Sequence, residues 1–405
     1  MTVAVLGAGV IGVTTAYFLA RQGFEVVVFD EAPEPAAGAT GGNGGQLSYS
    51  YADALAGPAL LRQIPSILLN RDPAIEVRDL ANPRLLRWGL SLLRECLPAR
   101  ARANSSALLT LALRSRDLLA EMTAELDFEF AHQEVGKLVL IDSPGTFERL
   151  RRSAASKKAA GCQIELLSAK EARQVEPALE ALSGSYRGAV YGPGDQVGDA
   201  RRFTQGLSQW LTDTGRVTFR FDTQVIDLEV GAGGVQAVML SGGERVAVDS
   251  AVVCLGAGSP RLTATRRQGP RIYPVRGYSV TLPRGAATPR ASITDLREKI
   301  VFGPLGDRVR IAGYTDFVGE QTEHVARRQQ QLLETARRLA PEAAVYDEPS
   351  NQAWSGVRPM TPNSRPQVGP GATPGLYFNT GHGALGWTLA CATSKDIADA
   401  VSQHA

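Results

Sequence analysis

The sequence contains few of the residues that bind metals or cross-link chains. It has four cysteines and four histidines among 405 residues. The cysteines form no C-x-x-C pair and the histidines are equally scattered: Cys96, Cys162, Cys254 and Cys391; His132, His324, His382 and His404. This spacing is typical of reduced thiols in a cytoplasmic protein. We therefore predict no disulfide framework and no metal site.

Net charge and long apolar runs are scarce as well. The 43 basic and 41 acidic residues give a formal charge of +2, which provides no electrostatic reason to expect a nucleic-acid partner. No apolar run reaches the roughly 18 residues of a membrane-spanning helix. The first predicted strand follows Met1-Thr2 directly, which leaves no room for a signal peptide. The length favours two domains, which could be interleaved along the chain.

The segment 3–30 is the central motif of the chain. It predicts a strand, a glycine turn, a helix and a second strand. In such a βαβ unit Gly7 permits the tight turn, Gly9 lets a pyrophosphate approach, and Gly12 lets helix and strand pack closely. The helix N-terminus favours phosphate binding. Asp30, 18 residues after Gly12, is placed to accept hydrogen bonds from ribose hydroxyls. The pattern predicts a dinucleotide but does not choose between NAD and FAD.

Further glycine-rich turns occur far from the first one, at 38–45, 256–258 and 381–386. The segment 31–46 could be a flexible linker, but its place directly after a βαβ unit favours a loop that passes under a flat ligand. An NAD domain is normally one contiguous block of about 150 residues. Turns dispersed over the whole chain instead favour FAD, a long cofactor enclosed by distant segments.

The rest of the pattern is mixed. Apolar residues at helical spacing predict helices between about 58 and 125, and 85–90 is amphipathic enough for either membrane contact or packing over a sheet. Four short runs from Val217 to Val248 predict a β-meander. We predict an α/β fold with an α+β second domain. The Rossmann-like cofactor domain comprises 1–57, 185–265 and 350–405, and a mixed-sheet substrate domain comprises 58–184 and 266–349.

The sequence resembles the bacterial D-amino acid dehydrogenase family, within the D-amino acid oxidase and sarcosine oxidase superfamily, from end to end. The stretches that carry the resemblance are 5–12, 43–46 (NGGQ), 198–199 (GD), 273–279 (YPVRGYS), 356–362 (GVRPMTP) and 379–388 (NTGHGALGWT). Arg276 departs from the pattern, since many of these dehydrogenases have lysine there. The resemblance implies FAD as cofactor and oxidation of an amino acid to its imino acid, which water converts to a 2-oxo acid and ammonia.

Four residues are expected at the reacting end. Arg358 lies where the family binds the substrate carboxylate, and a guanidinium can fork onto a carboxylate as lysine cannot. Tyr278 is the expected second anchor, or else a packed strand tyrosine. His382 could reinforce the negative charge of reduced flavin, or be only a turn residue. Tyr49, like Tyr51, could face the substrate or be a buried structural aromatic, and Arg276 could face solvent.

The expected cofactor residues come from all of the glycine-rich segments. They are Gly7, Gly9, Val10, Ile11, Gly12, Asp30, Glu31, Thr40, Asn43, Gly44, Gly45, Gln46, Leu47, Val225, Gly256, Gly383, Ala384, Leu385, Gly386, Trp387 and Thr388.

Several alternatives remain open at this stage. The substrate could instead be a secondary or cyclic amino acid such as D-hydroxyproline, proline or sarcosine, or the chain could be a catalytically silent flavoprotein subunit. A quinone or another carrier is the favoured electron acceptor. Peripheral contact with the inner face of the plasma membrane and a homo- or hetero-oligomer are both compatible with the sequence.

Overall fold

The computed structural model describes residues 1–78, 80–265, 268–269, 271–319, 321–348 and 352–404. Within these residues nine α-helices are present: α1 (Val10–Arg21), α2 (Pro58–Leu68), α3 (Pro83–Glu95), α4 (Pro98–Thr123), α5 (Pro144–Ala159), α6 (Ala169–Val175), α7 (Ala200–Asp213), α8 (Val325–Leu339) and α9 (Gly386–Gln403). No helix in these ranges is long and apolar enough to cross a membrane.

The strands belong to two large and two small sheets. In chain order they are β1 (Thr2–Leu6), β2 (Glu25–Phe29), β3 (Gln46–Leu47), β4 (Lys137–Ile141), β5 (Glu165–Ser168), β6 (Gly188–Gly192), β7 (Gln196–Val197), β8 (Val217–Arg220), β9 (Val225–Gly231), β10 (Gly234–Leu240), β11 (Arg245–Ala247), β12 (Ser250–Val253), β13 (Tyr273–Pro283), β14 (Ser292–Asp295), β15 (Ile300–Leu305), β16 (Arg308–Asp316), β17 (Gln352–Met360), β18 (Gln367–Pro370) and β19 (Leu376–Thr380).

The first large sheet has six strands in the order β18-β19-β12-β1-β2-β8, parallel except for β18. Its central strand β1 is apolar and buried over 3–6, as expected for a parallel strand covered on both faces. Helices α1 and α9 pack together on one face, and the three-stranded β9-β10-β11 sheet contributes to the core on the other. The carboxyl ends of the parallel strands therefore meet at one edge, where ligands of such sheets bind.

The second large sheet has eight strands in the order β17-β13-β16-β15-β14-β4-β6-β5, and most neighbours are antiparallel. Its long strand β13 is buried over 273–282, and α8 packs against it to form a separate core. Helix α3 covers the same strand through Trp88, whose indole N–H donates to the carbonyl of Met360 at 2.9 Å. The mixed α/β architecture with a second mixed sheet agrees with the predicted fold class.

Two details differ from the sequence-based expectations. The run 217–221 is not part of a meander, because β8 pairs in parallel with β2 at the edge of the six-stranded sheet. Only β9, β10 and β11 form the meander. Strands β6 and β17 belong to the eight-stranded sheet, although the predicted boundaries place them in the cofactor domain. The predicted limits at 266, 349 and 350 fall outside the described residues, and the division into two domains stays a prediction.

Candidate functional site

A large cavity of 1190 Å³ is lined by residues from both large sheets. Its wall includes all four glycine-rich segments that the sequence singles out, although the first and the last lie near opposite ends of the chain. The expected cofactor residues in the wall are Gly7, Gly9, Val10, Ile11, Asp30, Glu31, Thr40, Asn43, Gly44, Gln46, Val225, Gly256, Gly383, Ala384, Leu385, Gly386, Trp387 and Thr388. Segments from the first and the last parts of the described chain therefore line one cavity.

Three of the expected residues do not line the cavity. Gly12 instead lets α1 approach the first turn, since a Cβ there would lie 1.8 Å from the carbonyl oxygen of Gly7. Gly45 has a φ of +74° and turns the chain into β3. Leu47 is buried in the main core. These three residues support the cavity from behind its wall, and their contact with the cofactor stays a prediction.

The amino end of α1 faces the cavity, and its N-cap residue, Gly9, supplies no side-chain cap. Gly7 has a φ of +105°, and a Cβ at this position would lie 2.8 Å from a main-chain carbonyl oxygen, so only glycine fits. The amide of Val10 donates to Thr40 Oγ1 at 3.1 Å, which ties the 38–45 loop to the helix. The loop is therefore part of the cavity wall and not a flexible linker.

Asp30 follows β2 and is fixed by two backbone groups. One carboxylate oxygen accepts from the amide of Ala8 at 2.6 Å and the other from the amide of Ala32 at 2.9 Å. A carboxylate has about four acceptor sites, so two amide bonds leave capacity for further donors. Because Asp30 lines the cavity, hydroxyl groups of a ligand can use that capacity.

The helix start after β19 forms the opposite end of the wall. Gly383–Leu385 make one 3₁₀ turn, and α9 begins at Gly386 without a side-chain cap. A second helix N-terminus thus faces the same cavity, and its partial positive charge favours negative charge in a ligand. Trp387 is held in place because its indole N–H donates to the carbonyl of Gly198 at 3.1 Å.

His382 lines the cavity but cannot supply a positive charge there at neutral pH. Its Nε2 lies 3.0 Å from Thr393 Oγ1, and burial lowers its pKa to about 3. This environment favours the alternative of a turn residue, and a direct role of His382 toward the flavin stays a prediction. The neutral ring joins the turn before α9 to the body of that helix.

Arg358 is a partly buried cation of the second sheet that faces the cavity. It lies on β17, and one Nη donates at 2.8 Å to the carbonyl of Tyr314, a residue with a φ of +62°. No described carboxylate forms an ion pair with it, and burial lowers the pKa of its guanidinium. Gly277 makes room for it, since a Cβ at 277 would lie 2.3 Å from its Nη2. Arg358 thus remains available for an anionic ligand.

Tyr278 lines the cavity, but its hydroxyl is already engaged. The phenol donates to Asp316 Oδ2 at 2.7 Å, and the same carboxylate accepts two bonds from Arg328, at 2.8 and 2.6 Å. Burial and the Asp316 charge raise the pKa of Tyr278 well above its usual range. The expectation that this hydroxyl donates to a substrate carboxylate is not met in this arrangement, since its proton is directed to Asp316.

The structure also places Tyr49, Tyr51 and Arg276, whose positions relative to the cavity the sequence left open. Tyr49 is 1% exposed, packs in the main core and donates to Gln196 Oε1 at 3.3 Å, so it is absent from the cavity wall. Its neighbour Tyr51 lines the cavity instead. Arg276 does not face solvent, as it is 6% exposed and lies in the wall. The alternation of inward and outward side chains along a strand could not predict which of these residues face the cavity, because the segment around Tyr49 and Tyr51 is short and irregular.

Sequence reasoning missed three residues that shape the site. Asp316 and Arg328 form the buried ion pair behind Tyr278. The only sequence signal for Asp316 is its position just after the apolar run 309–314. Trp354 lies in the wall, where a Cβ on Gly42 would lie 2.2 Å from its ring. Such partners are far apart along the chain, as Gly42 and Trp354 are, and a single sequence carries no signal for that proximity.

The wall has the features that a dinucleotide with a redox-active ring requires. Two helix N-termini whose N-cap residues supply no side-chain cap face the cavity, and an acidic residue lies at the end of β2. These features define the class, a flavin-dependent oxidoreductase with a Rossmann-like sheet. The chain belongs to the DAO family, described as FAD dependent oxidoreductase, which matches residues 2–400. FAD is therefore its cofactor.

Similar proteins agree with this assignment. The chain is 37% identical to D-amino acid dehydrogenase 2 of Ralstonia nicotianae, covering 100% of this chain and 97% of that protein. It is 36% identical to D-amino acid dehydrogenase of Dechloromonas aromatica, covering 99% and 97%. Among solved structures, glycine oxidase from Geobacillus kaustophilus superposes with a TM-score of 0.75 at 22% identity, covering 100% and 95%. L-Proline dehydrogenase from P. horikoshii also gives 0.75, at 16% identity, covering 99% and 93%. The predicted fold class, family and cofactor are confirmed.

Proposed function

We propose that the protein is a D-amino acid dehydrogenase that converts a free D-amino acid to a 2-oxo acid and ammonia. The observation that carries the proposal is Arg358, a partly buried guanidinium on the cavity wall without a described carboxylate partner. The names of the similar proteins support the D configuration. A partly buried cation of this kind is stabilised when a ligand carboxylate binds it with two charge-assisted hydrogen bonds.

Each group of the site has one task in this reaction. When FAD is bound, it accepts the two electrons that leave the Cα–H bond of the substrate. Arg358 anchors the substrate carboxylate, and its bond to the carbonyl of Tyr314 fixes the plane of the guanidinium. When its carboxylate is anchored in this way, the substrate can hold its Cα at the roughly 3–3.5 Å from the electron-accepting atom of the cofactor that reaction requires. The ion pair of Asp316 and Arg328 holds Tyr278 against the cavity as a wall residue.

The amine of the substrate must be neutral before the Cα hydrogen can leave with its electron pair. A site enclosed by buried residues disfavours the ammonium form, and Arg358 adds a positive charge that disfavours it further. Loss of the amine proton and of the Cα hydrogen gives the imino acid. Water then adds to the C=N bond and ammonia leaves, which yields the 2-oxo acid. No side chain is required as a general base in this scheme.

The test is anaerobic reduction of the purified holoenzyme by a panel of amino acids. D-Alanine and other D-amino acids should bleach the visible flavin absorbance, whereas L-amino acids, proline and sarcosine should do so far more slowly. The Arg358→Met holoenzyme is the matched control and should bleach slowly with every member. If no D-amino acid bleaches the wild-type flavin, or if sarcosine is the fastest, the proposal is wrong.

A quinone is the proposed electron acceptor, and the surface of α2 and α3 supports contact with the membrane that contains it. Their inner face packs on the sheet, while leucines remain exposed on the outer face: Leu61, Leu68 and Leu69 on and just after α2; Leu86, Leu90, Leu93 and Leu97 on and just after α3. Exposed arginines lie among them: Arg62, Arg84, Arg87 and Arg94. Apolar side chains beside cations suit the interface of an anionic bilayer.

Vesicle flotation tests this surface. The holoenzyme should float with anionic vesicles and not with neutral ones, and Leu86→Ser with Leu90→Ser should abolish flotation without loss of flavin. Equal recovery with and without vesicles would contradict the membrane contact. A homo- or hetero-oligomer stays a prediction, which light scattering can measure.

A further inference from the structure

A lysine ammonium lies directly behind the cavity wall with no carboxylate in contact. Lys137, the first residue of β4, is 5% exposed. Its Nζ donates to Gln46 Oε1 at 3.1 Å and to Ser48 Oγ at 2.8 Å, and no described carboxylate forms an ion pair with it. Gln46 and Ser48 both line the cavity. The two hydrogen-bond partners of the ammonium group are therefore neutral side chains that lie between it and the cavity.

The neighbouring Lys157 shows what a compensated buried lysine looks like in this protein. It is 6% exposed, and its Nζ lies 2.5 Å from a carboxylate oxygen of Asp53. The ring of Tyr51 lies between the two lysines, with its centroid 5.0 Å from Lys137 Nζ and 4.9 Å from Lys157 Nζ. Burial of an ammonium without a counter-ion is costly, so Lys137 calls for another source of negative charge.

The charged groups around Lys137 compensate its charge only in part. Asp195 and Asp53 favour the ammonium and Lys157 opposes it, but desolvation is the largest effect and lowers the pKa of Lys137 to about 8. The buried Asp195 carboxylate accepts from the amide and hydroxyl of Ser50, both at 2.7 Å, and forms no described ion pair with Lys137. Negative charge that arises in the cavity would add to this partial compensation.

We propose that Lys137 is a positioning residue for cofactor reduction: its charge, held by Gln46 and Ser48, stabilises the negative charge that two-electron reduction places on the flavin ring. This goes beyond the proposed function, because it depends on FAD and not on the substrate. Gln46 can transmit the effect since its side chain is fixed at both ends, with its amide nitrogen donating to Ser292 Oγ and its oxygen accepting from Lys137.

The proton balance of reduction gives the proposal a distinctive signature. Where Lys137 is already charged, two electrons and one proton produce the anionic reduced flavin. Where Lys137 is neutral, reduction also draws a second proton onto its Nζ from solvent. A tenfold change in equilibrium is about 30 mV for a two-electron couple. The reduction potential should therefore fall by about 30 mV per pH unit below pH 8 and by about 60 mV per unit above it.

The experiment is a reductive titration of the holoenzyme with dithionite and a reference dye at several pH values. Lys137→Met should make the flavin at least tenfold harder to reduce at pH 7, about 30 mV lower in potential, and should remove the change of slope. Lys157→Met, next to the same tyrosine, should keep the change of slope. An unchanged potential in Lys137→Met overturns the proposal.

The wild-type profile decides the matter even if the variant does not retain flavin. A wild-type potential with one constant slope from pH 6 to about pH 10 contradicts a lysine that gains a proton on reduction. Dithionite replaces the substrate, so this result is independent of whether a D-amino acid is oxidised. Failure of the substrate panel and failure of the pH profile are thus separate outcomes.

Discussion

Replacement of Arg358 by methionine should separate catalysis from stability, because the wild-type guanidinium is partly buried without a described counter-ion. Methionine keeps much of the side-chain volume and removes the charge. Two charge-assisted hydrogen bonds to a substrate carboxylate are worth about 3–6 kcal/mol together. Their loss should lower kcat/KM by about 10²- to 10⁴-fold.

The free energy of unfolding should respond differently. The variant loses one hydrogen bond from a charged donor to the carbonyl of Tyr314, about 1.5–3 kcal/mol, but it also removes the desolvation cost of a partly buried charge. Because these two effects oppose each other, we expect the holoenzyme without substrate to be about as stable as wild type. Arg328→Met is the matched comparison, since it leaves Asp316 buried without its partner and should cost about 3–5 kcal/mol.

The assay combines denaturant unfolding of the substrate-free holoenzymes with steady-state kinetics on D-alanine. Activity should be expressed per mole of bound flavin, so that loss of cofactor does not imitate loss of catalysis. The reasoning is refuted if Arg358→Met destabilises the protein as much as Arg328→Met does, while kcat/KM per flavin stays within about threefold of wild type. That pattern would make Arg358 a structural residue.

Three further perturbations test neighbouring parts of the site. Gly277→Ala places a methyl group 2.3 Å from Arg358 Nη2, so KM for D-alanine should rise at least about tenfold with flavin affinity unchanged, as steady-state and flavin titrations would show. Tyr278→Phe removes a donor to Asp316 and should cost about 1–3 kcal/mol in unfolding, with a smaller loss in kcat/KM; a larger catalytic loss would mean direct contact with substrate. His382 has a pKa of about 3 in the folded state and takes up a proton on unfolding below pH 6.5. The free energy of unfolding should therefore fall on acidification by up to about 1.4 kcal/mol per pH unit. His382→Gln should reduce that slope, and an identical slope in the variant would contradict the neutral state of His382.

The sequence carried enough information for the cofactor but not for the details of the reacting end. Glycines that need a left-handed backbone or close packing, such as Gly7 and Gly12, are visible in a single sequence because the chemistry is local. The dispersal of glycine turns also predicted correctly that distant segments enclose one ligand. The family resemblance supplied Arg358, which the structure places on the cavity wall.

What could not be predicted depends on partners far along the chain. Tyr278 could be assigned to the cavity, yet its commitment to Asp316 follows from the pairing of β13 with β16. Tyr49 and Tyr51 are two residues apart, yet Tyr49 is buried in the core and Tyr51 lines the cavity. This difference depends on three-dimensional packing around an irregular segment. The neutral state of His382 is a consequence of burial, which spacing does not reveal.

The packing of α1 against α9 has a consequence for biosynthesis. Thr15 on α1 contacts Ser394 on α9 at 3.1 Å, and Asn379 before α9 donates to the same threonine at 3.0 Å. The first helix to leave the ribosome therefore waits for the last one before its buried face is covered. Because residues 383–388 line the same cavity as the first glycine turn, the complete wall of the cofactor site requires the last segment of the chain as well as the first.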